Sequence, residues 1–190
     1  MRNQFMGHKK INMANEYLIS KWKMWFSWFD HNTDGKVCAE DLETAREKYA
    51  NLHHYDADRK KAAMGAYSAW WSEYLMFGKS EITEAEFIEC QKKAFEADRT
   101  QFAKRIEEGQ EAVCSLMDLD GDGMCTEEDC MIMLKSAEHN NDAVNRKRFD
   151  AHSVDGKIPV KTSVDMWTHF LTCDDESKPD MVVQLFKSGF

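Results

Sequence analysis

Trp22, Trp25, Phe26 and Phe29 recur at intervals of three and four residues, and a largely polar run from Asp30 to Asp41 follows them. Leu42, Ala45 and Tyr49 then resume the spacing, with Arg46 as the one charged member of the stripe. Apolar positions at that period share one face of an α-helix. The pattern therefore predicts a helix, a polar loop and a second helix. It recurs further along: Gln110, Val113, Cys114 and Met117 lead into Asp118–Asp129, and Cys130, Met133, Leu134 and Ala137 lead out. Tyr67, Trp70, Trp71 and Tyr74 precede Leu75–Glu86, after which Phe87 and Cys90 continue the stripe. A less regular copy has Phe149 before Asp150–Pro159 and Met166, Trp167 and Phe170 after it. Four helix–loop–helix units in two pairs thus span the chain from Asn15 to Leu171, which predicts an all-α fold. The first helix also carries Met24 and Trp28, beyond the stripe one pair needs. A helix apolar on most sides is buried on most sides, so the two pairs are expected to face each other in one compact globule.

Two of the loops carry chemistry. Asp30, Asn32 and Asp34 put side-chain oxygens at loop positions 1, 3 and 5, Gly35 stands at 6, and Asp41 closes at 12. Asp118, Asp120, Asp122, Gly123 and Asp129 repeat that layout. It is the layout of an EF-hand calcium loop, which surrounds a hard cation with six or more oxygens and turns sharply at a glycine. The expected ligands are Asp30, Asn32, Asp34, Asp41 and the Lys36 carbonyl in the first loop. In the second they are Asp118, Asp120, Asp122, Asp129 and the Met124 carbonyl. Cys38 and Thr126 fall at position 9, where a water usually completes the shell. Three carboxylates against four predict tighter binding at the second site. Both loops close with aspartate, one methylene shorter than the usual glutamate. Binding through one oxygen gives a six-coordinate shell that suits magnesium, so the sites are expected to take Ca2+ with Mg2+ competing.

The other two loops lack the ligands. Leu75, Phe77 and Lys79 stand at positions 1, 3 and 5 of Leu75–Glu86, although Ile82 keeps position 8 and Glu86 keeps position 12. In the fourth segment only Asp150 and Asp155 offer carboxylates, and Thr162 falls where the closing acid should be. Both are expected to be structural, each joined to an active neighbour by a short antiparallel contact through the eighth loop residues.

The net charge of −9 over 190 residues fits a cation binder and argues against nucleic acid as a partner. No run of 18 apolar residues predicts a membrane span, and Met1–Asn15 has no apolar stretch of the signal-peptide kind. The six cysteines (38, 90, 114, 125, 130 and 173) show no zinc spacing, and several fall on predicted core faces. A reducing cytoplasm and a monomer are expected. No catalytic arrangement emerges: His53 and His54 are adjacent and cannot share a helical face. The division expected is an N-terminal pair in residues 1–97 and a C-terminal pair with a tail in 98–190.

Over almost its full length the chain resembles the invertebrate sarcoplasmic calcium-binding proteins and the calexcitins. The residues that carry the resemblance are the aromatic first helix running into Asp30-x-Asn32-x-Asp34-Gly35, Asp41 at position 12, and the wide spacing of the first two loops. The degenerate fourth loop and the apolar tail (Leu185, Phe186, Phe190) add to it. The resemblance implies four EF-hands in a compact globule with a shared core, although a third active loop is common there. Two mixed sites, a compact body and no exposed target groove read as a cytosolic calcium buffer, and two alternatives stand beside it. One is a sensor whose twelve methionines would serve a protein target. The other is a carrier of a small hydrophobic ligand, as in the luciferin-binding proteins and photoproteins of the same superfamily. Trp167 and His169 match part of the photoprotein set, but no tyrosine follows Tyr74 and the chain ends in Phe190, so the oxidative chemistry is not expected.

Overall fold

The helix–loop–helix pattern is realised in a computed structural model that describes residues 13–52, 55–118, 120–136 and 139–187. His53, His54, Ala137, Phe190 and the first twelve residues lie outside the described residues. Helix α1 (Glu16–Ser27) is capped by Asn15, whose side chain accepts from Leu18 N. It is followed by β1 (Lys36–Cys38) and α2 (Ala39–Leu52). Helix α3 (Ala57–Trp70) runs into a π-helical turn, Trp71–Leu75, and then into β2 (Glu81–Thr83) and α4 (Glu84–Ala97). Asp98 alone separates α4 from α5 (Arg99–Cys114), and its carboxylate caps α5 through Thr100 N and Gln101 N. The remainder is β3 (Met124–Thr126), α6 (Glu127–Ser136), α7 (Asp142–His152), β4 (Lys157–Pro159), α8 (Val160–Thr172) and α9 (Met181–Lys187).

The strands pair antiparallel, β1 with β2 and β3 with β4, with Val37 opposite Ile82 and Cys125 opposite Ile158. Those are the eighth-position contacts that the loop spacing predicts. Three of these four residues are apolar and all are buried, so each loop pair is joined at a point where its side chains enter the core.

One apolar cluster runs through both halves, from Leu18 and Trp22 in α1 to Phe102 and Ile106 in α5, Phe170 in α8 and Val182 in α9. Trp22 meets Phe95 and Phe102 edge-on at 5.9 and 5.7 Å. Trp25 and Phe26 both meet Phe87. Helix α2 packs on α6 and α1 on α8, so the halves face each other as the over-apolar first helix predicts. Tyr74, on the π-helical turn, lies against Gly109 of α5, where a Cβ would stand 2.6 Å from the ring. The C-terminal segment is tied to α1: Trp22 Nε1 donates to Leu171 O at 2.9 Å, and Asn15 Nδ2 donates to Asp174 O at 2.6 Å.

Some positions read as core from periodicity are only half-buried. Cys130, Met133, Leu134, Met166 and Trp167 are among them, because each also borders a cavity described below. The start of the fourth loop also differs from expectation. Helix α7 continues through His152, so Asp150 lies on an exposed helical turn.

Candidate metal centre

The first loop begins where α1 tightens. Phe29 N and Asp30 N both donate to Phe26 O, which turns the chain out of the helix. Asp30 then accepts from Asp34 N at 3.1 Å and Gly35 N at 3.0 Å. Asn32 Oδ1 accepts from Asp34 N at 3.0 Å, and Asp34 Oδ1 from Lys36 N at 2.9 Å. Each side chain at positions 1, 3 and 5 is thus oriented by a backbone amide further along its own loop. Gly35, at φ +83°, supplies the left-handed turn that brings them round. Asp41 closes the loop from inside the first turn of α2: one oxygen accepts from His31 N at 3.2 Å, the other from Cys38 N at 2.9 Å. Asp41 is 2 % exposed.

The C-terminal loop repeats the design. Asp118 accepts from Gly121 N, Asp122 N and Gly123 N at 2.7 to 3.2 Å, and Asp122 Oδ1 accepts from Met124 N at 2.8 Å. Asp129 accepts from both the amide and the hydroxyl of Thr126, while Asp129 N donates back to that hydroxyl. The position-12 acid is therefore also half of a reciprocal helix cap. Asp118, Asp120 and Asp122 each bring an oxygen within 4.8 Å of the others.

All the donors gathered here are oxygens. Asp30, Asp41 and Asp129 are each at most 9 % exposed, and a buried carboxylate is costly unless hydrogen bonds or a cation offset its charge. The residues present fit a hard divalent ion. They do not fit a soft one, since Cys125 is directed into the protein and is fully buried.

The other two loops are closed from within. Lys79 Nζ reaches the position-12 acid, Glu86 Oε1, at 2.8 Å. That ammonium, together with the amide and hydroxyl of Thr83, holds the Glu86 carboxyl down to about 2. A side chain of the loop itself thus supplies the charge an ion would bring. In the fourth segment Asp155 and Gly156 both adopt positive φ (52° and 75°), and Val154 and Lys157 exchange both backbone hydrogen bonds. That two-residue hairpin turn leaves no arc of chain to wrap an ion.

Sequence reasoning missed the lysines that cross between loops. Lys157 Nζ lies 2.5 Å from Asp122 Oδ2, and this ammonium holds the Asp122 carboxyl below its usual range. Lys36 pairs likewise with Glu81 across β1 and β2 at 3.1 Å. The signal was the strand register, which sets Lys157 opposite Thr126 and close to the loop.

No protein-family model matches the chain. Its sequence is 30% identical over 176 residues to a sarcoplasmic calcium-binding protein from Mizuhopecten yessoensis, covering 91% of this chain and 99% of that one. Among solved structures, the calcium-loaded apo form of a coelenterazine-binding protein from Renilla muelleri superposes with a TM-score of 0.69. It is 15% identical and covers 85% of this chain and 91% of that one. The calcium-regulated photoprotein mitrocomin from Mitrocoma cellularia gives a TM-score of 0.63 at 19% identity, covering 90% and 93% of the two chains. At such identities the structural matches establish the shared fold alone.

Proposed function

Because the chain belongs to the family of sarcoplasmic calcium-binding proteins, and so binds calcium, we propose that it acts mainly as a Ca2+ buffer with Mg2+ competing. The sites are the loops 30–41 and 118–129. Asp30, Asn32, Asp34 and Asp41, with the Lys36 carbonyl, hold one ion. Asp118, Asp120, Asp122 and Asp129, with the Met124 carbonyl, hold the other. The observation that carries this reading is the contrast among the loops. Two present carboxylates oriented by their own backbone amides and closed by a buried aspartate at position 12, while Lys79 and the Asp155–Gly156 turn close the other two.

A target-seeking sensor needs an apolar face to present. Among the described residues the large apolar side chains that stand exposed are Met13, Val154 and Met181, and they form no stripe. All six cysteines are free thiols, in keeping with a reducing cytoplasm. No helix among the described residues is long and apolar enough to cross a membrane.

Calorimetric calcium titration, without magnesium and then with millimolar magnesium, tests the reading. Two binding events, both markedly weakened by magnesium, are expected. Indifference to magnesium would remove the mixed-site buffer, and a third event would show that a closed loop opens to an ion. A second reading, carriage of a small hydrophobic ligand, is favoured by one observation: an apolar cavity of about 660 Å³ in the C-terminal half. The Renilla muelleri neighbour is named for such a ligand.

A further inference from the structure

Helices α6, α7, α8 and α9 do not close on one another. The space between them, about 660 Å³, falls within the ~300–1,000 Å³ usual for small-molecule sites. Five methionines line it: Met117, Met131, Met133, Met166 and Met181. Unbranched thioethers adapt to the outline of a guest where branched side chains would not. Trp28, Met117, Met133 and Trp167 also line a smaller hollow of about 60 Å³ at the centre of the protein. They therefore form the inner wall of the cavity, and Trp28 and Trp167 stiffen it by meeting edge-on at 5.3 Å.

The charge of the lining is as selective as its polarity. In a chain of net charge −9, no aspartate or glutamate among the described residues lines this cavity. The charged side chains that line it among the described residues are Lys147 and Arg148, with His152 one turn further along α7. Lys147 and His152 are exposed, which places them at the mouth. Arg148 sits deeper and joins α7 to α9 by donating to Leu185 O at 3.3 Å. A neutral apolar guest would have no use for a basic rim, and a cation would be repelled by it.

We propose that the cavity binds a small amphiphile with an apolar body and an anionic head, of the long-chain carboxylate class. The head lies at the α7 rim beside Lys147 and Arg148, and the body lies against the methionine wall. The proposal rests on the carrier reading and narrows it to one ligand chemistry and one site.

Three probes with one tail and different heads separate the two ideas: dodecanoate, dodecan-1-ol and dodecylammonium, each titrated at micromolar concentration into the full chain by calorimetry. Dodecanoate is expected to bind once per chain, about tenfold or more tighter than the alcohol, with the ammonium weakest. Lys147→Glu, a change at an exposed position, is expected to remove most of that preference and leave the alcohol's affinity in place. Met133→Trp, which fills the cavity from its inner wall, is expected to weaken all three. A cooperative thermal unfolding transition and parental far-UV circular dichroism show that each variant is folded. Equal affinity for dodecanoate and dodecanol, or dodecanoate binding indifferent to Lys147→Glu, would overturn the anionic assignment while the carrier reading stands. Uptake of none of the three would overturn both.

Discussion

Lys21 is a lysine with no access to solvent, and its partners come from the C-terminal end of the chain and from its own helix. Its ammonium donates to Cys173 O at 2.6 Å and to Asp180 Oδ2 at 3.0 Å, and it sits 4.5 Å from the Tyr17 ring centre. Asp180 has a second duty, because its Oδ1 accepts from Val183 N and caps α9. Removing one member of a buried pair strands the other charge, at a typical cost of ~3–5 kcal/mol. Asp180→Asn is expected to lose stability on that scale in urea unfolding while keeping an acceptor for the cap. Asp180→Ala should lose about 1 kcal/mol more. A urea midpoint unmoved by Asp180→Asn would show that the clamp between α1 and α9 contributes nothing net. None of this is legible in the sequence. Lys21 interrupts an aromatic stripe as any solvated lysine does, and its partner is 159 residues away. The loop acids are legible because their spacing is local: Asp30 and Asp34 meet through bonds that span four residues.

Among the elements, the closed loop between α3 and α4 shows what replaces an ion when the ligands are lost. Sequence alone marks it as short of ligands, from Leu75 and Phe77 at positions that need oxygen. Only the fold shows Lys79 seated on Glu86. The consequence is a pH dependence whose sign follows from linkage. The Glu86 carboxyl is depressed from 4.5 to about 2, with the Lys79 contact first and the Thr83 bonds next. Its contribution to stability is therefore fully present above pH 4.5 and is lost as pH falls through 2. An NMR titration of the Glu86 side chain should find its midpoint near that lower value. In Lys79→Ala the midpoint should rise but stay below 4.5, because Thr83 still donates twice. A midpoint at the ordinary carboxylate value in the parent protein would remove the account. The fourth loop was half legible. Its deletion and its Gly156 are visible in sequence, but helix periodicity fades across Asn145–His152, and nothing local marks where α7 stops.

For the molecule as a whole, periodicity assigns a face to each helix but not whether that face is met. Trp22, Trp25 and Phe87 are read as core and are core. Met133, Met166 and Trp167 have the same signature and border a cavity instead, because the space between four helices depends on how all of them pack. Helix α6 connects this cavity to the candidate metal centre at 118–129. Its first turn contains Asp129, which closes the 118–129 loop, and the following turns contribute Cys130, Met131, Met133 and Leu134 to the cavity wall. An ion that draws on Asp129 therefore acts on the same rigid element that a guest presses against. Coupling between two such sites is reciprocal by thermodynamic necessity. If calcium changes the affinity for dodecanoate by some factor, saturating dodecanoate must change calcium affinity by that same factor, with 5- to 150-fold being typical of coupled sites. The expected locus is the 118–129 loop, since α2, which closes the other loop, contributes nothing to the cavity lining. Asp118→Ala should disable that loop and leave 30–41 able to bind. In this variant the dodecanoate affinity should be the same with calcium as with chelator. Calcium dependence that survives Asp118→Ala would exclude α6 as the link and point to Trp28, which lines the cavity two residues before Asp30.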